Sequence, residues 1–242
     1  GGRVALAIHR CRKPVIGAIN GSAVGVGITM TLPMSIRIVY AEAKIGFVFA
    51  RRGLVMEACS SYFLPRLIGA SVRTTRKYKD ERGVERQIYE HELHAYRQHR
   101  SLSRAMHLTT TGSTYPATSL LFGTLFSETI PDASAVLPRA LEIAEEIVKN
   151  TSTVSTYLMR ELMYRGPDGA EKTHLLDSKI LYELISGSDN KEGVRSFLEK
   201  RPARFTGTME KDAPAAYPWW DPVDVGVRAK AVKAVDVTKS KL

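Results

Sequence analysis

The residues able to do chemistry begin with a glycine-punctuated run, Ala23-Val24-Gly25-Val26-Gly27-Ile28-Thr29, that follows the strand breaker Asn20-Gly21-Ser22. Such a run is consistent with a turn that opens a buried helix and leaves backbone N–H groups accessible. Two backbone donors at a tight turn can hold an oxyanion without reorganising, whatever side chains flank them. Glu57 stands just ahead of a helical run, a place the helix macrodipole favours for an acid. His91, His94 and His99 have spacings that suggest a metal, but no cysteine or fixed neighbour supports them, and no metal is expected. Cys11 and Cys59 stand far apart with no CxxC pair, which gives neither a disulfide framework nor a zinc site and fits a reducing compartment. The last three residues, Ser240-Lys241-Leu242, spell a peroxisomal address read by an import receptor at a free carboxylate, so a peroxisomal location is expected.

The elements that would position these groups alternate. Residues 3–10 read as the end of a helix, and 14–19 (PVIGAI) as a short buried strand. After the glycine turn comes a β-branched strand at 35–40, then a short extended piece at 45–47 and a helix ending near 65–69. Strand–helix–strand order argues for an α/β class with a mostly parallel sheet. Further helices are expected over 138–147, 151–164, 179–185 and 192–200. The stretch around Trp219-Trp220, with prolines at 214, 218 and 222, reads as an extended arm whose indoles dock on an apolar surface.

At 242 residues and 44% hydrophobic content the chain is long enough to bury one sizeable core. The formal charge of +10 suits a polyanionic partner, whether nucleic acid, an anionic membrane surface or a phosphorylated small molecule, and charge alone does not choose among them. No RNP-type strand, zinc-finger spacing or heptad-bearing basic region accompanies the charge, so nucleic acid is not expected. Nor is membrane insertion, since no apolar run reaches spanning length.

Three blocks carry a family resemblance. KPVIGAINGSAVGVGITMTL (13–32), AEAKIGFVFARRGLVMEACSSYFLPRLIG (41–69) and SGSDNKEGVRSFLEKRPARF (186–205) resemble, in order, the signature segments of the crotonase (enoyl-CoA hydratase/isomerase) superfamily. The resemblance implies a core of repeated ββα turns with a C-terminal helical trimerisation region, assembled as a homotrimer or hexamer. It implies an acyl-CoA thioester as substrate and no cofactor apart from the coenzyme A that the substrate carries. Within the family pattern the N–H of Val26 is an oxyanion donor, Gly25 and Gly27 line the substrate, and Lys200 reaches a CoA phosphate. Phe197 and Leu181 read as core residues rather than as a ligand wall.

Matching by motif, the two hydratase glutamates fall on Thr29 and Phe49, which cannot titrate. The segment Met56-Glu57-Ala58-Cys59-Ser60-Ser61 instead resembles the PEGCSS-type segment of peroxisomal Δ3,Δ2-enoyl-CoA isomerases, with Met56 where proline is usual. The resemblance makes Glu57 the single catalytic base and acid, its pKa raised by an apolar pocket. Fungal isomerase/hydratase-like enzymes of host-selective toxin pathways are also similar, so the setting is peroxisomal fatty-acid or toxin metabolism. A hydratase of that pathway and a truncated, non-catalytic acyl-CoA-binding subunit are the alternatives.

The organisation expected is part of the ββα core over 1–71, an exposed basic insert over 72–103, the remaining core and C-terminal helices over 104–205, and a tail over 206–242. Against the family pattern, a segment carrying the first oxyanion donor is expected upstream of this sequence. The insert is dense in charge with few aliphatic anchors and is expected to lack structure. Joining 71 to 104 restores family-like sequence, as a translated intron would explain.

Overall fold

The structure, a computed structural model, describes residues 1–68 and 102–225, together with the backbone of 75–79, 85–89 and 97–101. The chain enters through helix α1 (Gly2–His9) and forms strand β1 (Ile16–Ile19), which passes directly to the short strand β2 (Ala23–Val24) and then to helix α2 (Val26–Thr29). The next turn repeats this plan one layer along, with strands β3 (Ile36–Tyr40) and β4 (Lys44–Gly46) and helix α3 (Ser60–Leu67). Each strand lies parallel beside its equivalent, Ile16 opposite Ile36 and Ala23 opposite Ile45. This is the expected ββα superhelix, its rungs set by alternating β-branched strands and tight turns.

Strands β5 (Thr75–Lys79) and β6 (Glu85–Tyr89) form an antiparallel pair of their own, and helix α4 (Arg97–Thr111) follows. The expectation of a structureless insert is therefore corrected, and its boundary at 103/104 falls inside α4. Composition reports how little a segment can bury. It does not report whether two of its strands satisfy one another's backbone groups.

Strand β7 (Thr114–Pro116) pairs antiparallel with β4, and strand β8 (Glu128–Ile130) adds parallel to β3, giving sheet orders β1-β3-β8 and β2-β4-β7. At Gly46 a Cβ would meet the Thr114 Cγ2 at 2.6 Å, so β7 approaches β4 as closely as only glycine allows. The main core lies between the sheets and helices α2, α3 and α4, with Ile28, Leu32, Ile45, Phe47, Phe63 and Leu108 buried. Fully burying each such side chain contributes roughly 1.5–3 kcal/mol.

Helix α5 (Val136–Asn150) covers the other face of β1 and β3, where Val136 and Ala140 pack on Ile38. Helices α6 (Thr153–Arg165), α7 (Ala170–Leu184) and α8 (Ser188–Leu198) form a C-terminal group around Tyr157, Leu158, Ile180 and Met209. Helix α7 begins nine residues earlier than the expected 179, because Gly169, at φ 105, turns the chain straight into it. Trp219 packs on the apolar cluster of Tyr157 and Met209, as expected of the arm, with its Nε1 donating to the Arg165 carbonyl at 3.0 Å, whereas Trp220 meets the Arg165 guanidinium.

Candidate active site

Strand β2 is followed by Gly25, whose N–H donates to the Gly46 carbonyl at 2.9 Å and whose φ of 60° with ψ of −123° suits glycine alone. Val26, the first residue of α2, then has no acceptor for its N–H within the helix, and its side chain is half exposed. Crowding does not explain the glycines: a Cβ on Gly25 or Gly27 would meet its nearest neighbour only at 4.0 Å. The far end of this turn is fixed by Arg37 on β3, a residue that strand reading passed over. Its buried guanidinium donates to the carbonyls of Met34 at 2.5 Å, Leu32 at 3.3 Å and Leu125 at 2.7 Å. Burial lowers the Arg37 pKa, and the ring of carbonyl acceptors supports the charge. A lone arginine within a β-branched strand was the available sequence clue.

Glu57 lies across from the same turn. Its Oε1 accepts a 2.6 Å hydrogen bond from the hydroxyl of Thr29, which is itself fully buried on α2. The Gly1 amino group lies 3.7 Å from Oε2. The Glu57 carbonyl accepts from Ser60 twice, from N at 3.0 Å and from Oγ at 2.5 Å, which ties the carboxylate-bearing residue to the first turn of α3. Between them Ala58 and Cys59 both adopt φ of 57°. Two consecutive left-handed residues without glycine are costly and are held only because the flanking bonds and α3 fix them. The structure thus brings Glu57, Thr29 and the N–H-bearing turn of Val26 together. The enclosed apolar pocket expected around Glu57 is not present among the described residues, because its side chain is 36% exposed and Leu54 and Val55 just ahead of it are exposed too.

Lys200 does not join this group. It follows α8 at φ 52°, with its side chain in solvent. Phe197 and Leu181 correct the core reading: they are 82% and 61% exposed and line a cleft of about 800 Å³ between α6, α7, α8 and the arm. Their apolar character pointed to burial but does not report what each side chain meets. Half-buried Phe49 sits at the end of the loop after β4. His91, His94 and His99, and the terminal Ser240, Lys241 and Leu242, lie outside the residues whose side chains are described.

Comparison with known proteins follows the same geometry. The family model for enoyl-CoA hydratase/isomerase matches residues 3–75 and 94–208, leaving out most of the β5–β6 segment. The chain is 51% identical over 213 residues to enoyl-CoA hydratase AFT3-1 of Alternaria alternata and 50% identical to enoyl-CoA hydratase ACTT3 of the same organism. Each match covers 88% of this chain and 61% of the relative, so the chain spans about three-fifths of those relatives' length. Among solved structures, one titled as a putative enoyl-CoA hydratase/isomerase from Mycobacterium abscessus superposes with a TM-score of 0.65 at 27% identity, over 86% of this chain and 72% of that one. With the matched family segments running through both ββα turns and the C-terminal helices, this chain belongs to the enoyl-CoA hydratase/isomerase family.

Proposed function

We propose that the protein moves the double bond of a 3-enoyl-CoA to C2, with Glu57 as the only proton carrier. Glu57 takes a proton from C2, and the electron pair of that C–H bond delocalises onto the thioester oxygen. The N–H of Val26 faces the charge that develops there. The protonated Glu57 then returns the proton to C4 while the C3–C4 double bond becomes C2–C3, so charge and atoms balance without a second acid. Gly25 and Gly27 shape the turn beside the acyl chain, and Lys200 carries charge for a CoA phosphate. The single observation that carries this reading is the Thr29–Glu57 hydrogen bond. One hydratase glutamate position holds a hydroxyl that orients the remaining carboxylate, and the other, Phe49, holds no acid. The test is Glu57→Gln, which keeps the shape of the side chain and removes its basicity. Isomerisation should fall at least about a thousandfold while acyl-CoA still binds, whereas undiminished isomerisation overturns the assignment.

A second reading, hydration of a 2-enoyl-CoA, is favoured by the names of the Alternaria relatives. It requires a carboxylate pair to orient and split water, and Thr29 and Phe49 do not supply one. A third, acyl-CoA binding without catalysis, leaves Glu57 without a task. Assembly as a homotrimer or hexamer is part of the proposal and is supported by the exposed apolar face of α7 and α8, where Leu181, Tyr182, Phe197 and Leu198 are all more than 60% exposed. Import into peroxisomes rests on Ser240-Lys241-Leu242 and is tested by the distribution of the fluorescently tagged chain with and without Leu242.

A further inference from the structure

A second cleft, of about 700 Å³, opens at the opposite end of the parallel strands from Glu57, where β1 and β3 begin at Ile16 and Ile36 in register. Helix α3 separates the two places: Glu57 precedes its first residue, Ser60, and Arg66 lies in its last turn, about 9 Å further along the axis. Four cations line the cleft, Arg12, Lys13, Arg66 and Arg160, and no carboxylate does among the described residues. Two of these charges are already matched, Arg12 by Glu210 and Arg160 by Glu161. The other two have no carboxylate partner among the described residues. The Arg66 guanidinium lies over the Tyr62 ring at 3.8 Å and donates through one amino group to the Tyr62 carbonyl, and the rest of its fork has no hydrogen-bond acceptor among the described residues. The walls between these heads are apolar, with Ile36, Leu67, Ile147, Met159 and Met163 lining them beside the rings of Tyr62, Tyr157 and Tyr164. Met159 and Met163 are 49% and 82% exposed, a high value for unbranched apolar side chains that adapt readily to a flexible chain.

We infer that this cleft binds an amphiphilic anion, a carboxylate head on an aliphatic chain, with Lys13 and Arg66 at the head and the two methionines along the chain. The site is independent of the isomerase reading, since it shares no residue with the Glu57 turn. The test is calorimetric titration of the whole purified chain with decanoate as probe and decanol as its uncharged counterpart. Decanoate should bind saturably at one site per chain. The double variant Lys13→Gln/Arg66→Gln should weaken it at least about tenfold and leave decanol unchanged, while Glu57→Gln leaves decanoate unchanged. Met163→Glu, at a position too exposed to disturb folding, should weaken decanoate similarly by setting a like charge at the mouth. Absence of saturable decanoate binding overturns the inference. So does binding that survives both the double variant and Met163→Glu, or binding that Glu57→Gln abolishes.

Discussion

At the scale of the residue, the Thr29 hydroxyl determines what Glu57 can do. A hydroxyl has one proton to give, and at 2.6 Å that proton goes to Oε1 rather than to the Val26 carbonyl at 3.5 Å. In the proposed isomerisation Oε2, which the Thr29 hydroxyl does not touch, is the oxygen that exchanges protons with substrate. A hydrogen bond to a charged acceptor is worth about 1.5–3 kcal/mol, so Thr29→Val should lower kcat about 10- to 100-fold with little change in KM, and Thr29→Ser should restore most of it. Steady-state kinetics on the three proteins checks this. Glu57 itself was legible in the sequence because the segment around it resembles a known one. Its partner was legible only as the absence of an acid, since a contact between residues 28 positions apart leaves no periodicity to read.

At the scale of the element, the site depends on how two short helices begin and end. Ala58 sits at φ 57° directly after Glu57, a conformation that glycine adopts without strain. Ala58→Gly should therefore raise the stability of the chain by about 1 kcal/mol in urea unfolding, against the usual direction of an alanine-to-glycine change. Arg37 closes the turn after α2, and removing its guanidinium strands buried carbonyls. Arg37→Met should cost about 3 kcal/mol by the same measurement and loosen α2 with it. Helices α3, α5 and α6 were readable from local pattern because each buries one regular face, and strands β1, β3 and β4 were readable as short apolar runs, β3 with three consecutive buried residues. The start of α7 and the β5–β6 pair were not: one begins among exposed polar residues, and the other is made by pairing between segments rather than by the composition of either.

At the scale of the whole molecule, α1 is joined to the C-terminal helices through His9, which is buried between Arg160 and Arg165. Each ring nitrogen faces a guanidinium, at 3.1 and 3.2 Å, and both arginines hold the buried Glu161. Burial first, and the charges of Arg160, Arg165 and Arg10 next, lower the His9 pKa to about 4. The unfolded chain, with its histidine near 6.5, takes up the proton first as pH falls. The stability contributed by neutral His9 is full above about pH 6.5 and is lost between there and about pH 4. Between pH 7.5 and 5 the protein should lose on the order of 1–2 kcal/mol more in urea unfolding than its His9→Phe variant does. The general architecture was legible from three motif blocks in order, whereas this junction joins residues about 150 positions apart and was not.

The central claim, that one carboxylate moves a proton between C2 and C4, is tested most directly by supplying the purified protein separately with 3-enoyl-CoA and 2-enoyl-CoA and resolving the products by chromatography. The account predicts 2-enoyl-CoA from the first and almost no 3-hydroxyacyl-CoA from the second. Abundant hydration of 2-enoyl-CoA with no conversion of the 3-enoyl thioester would contradict it.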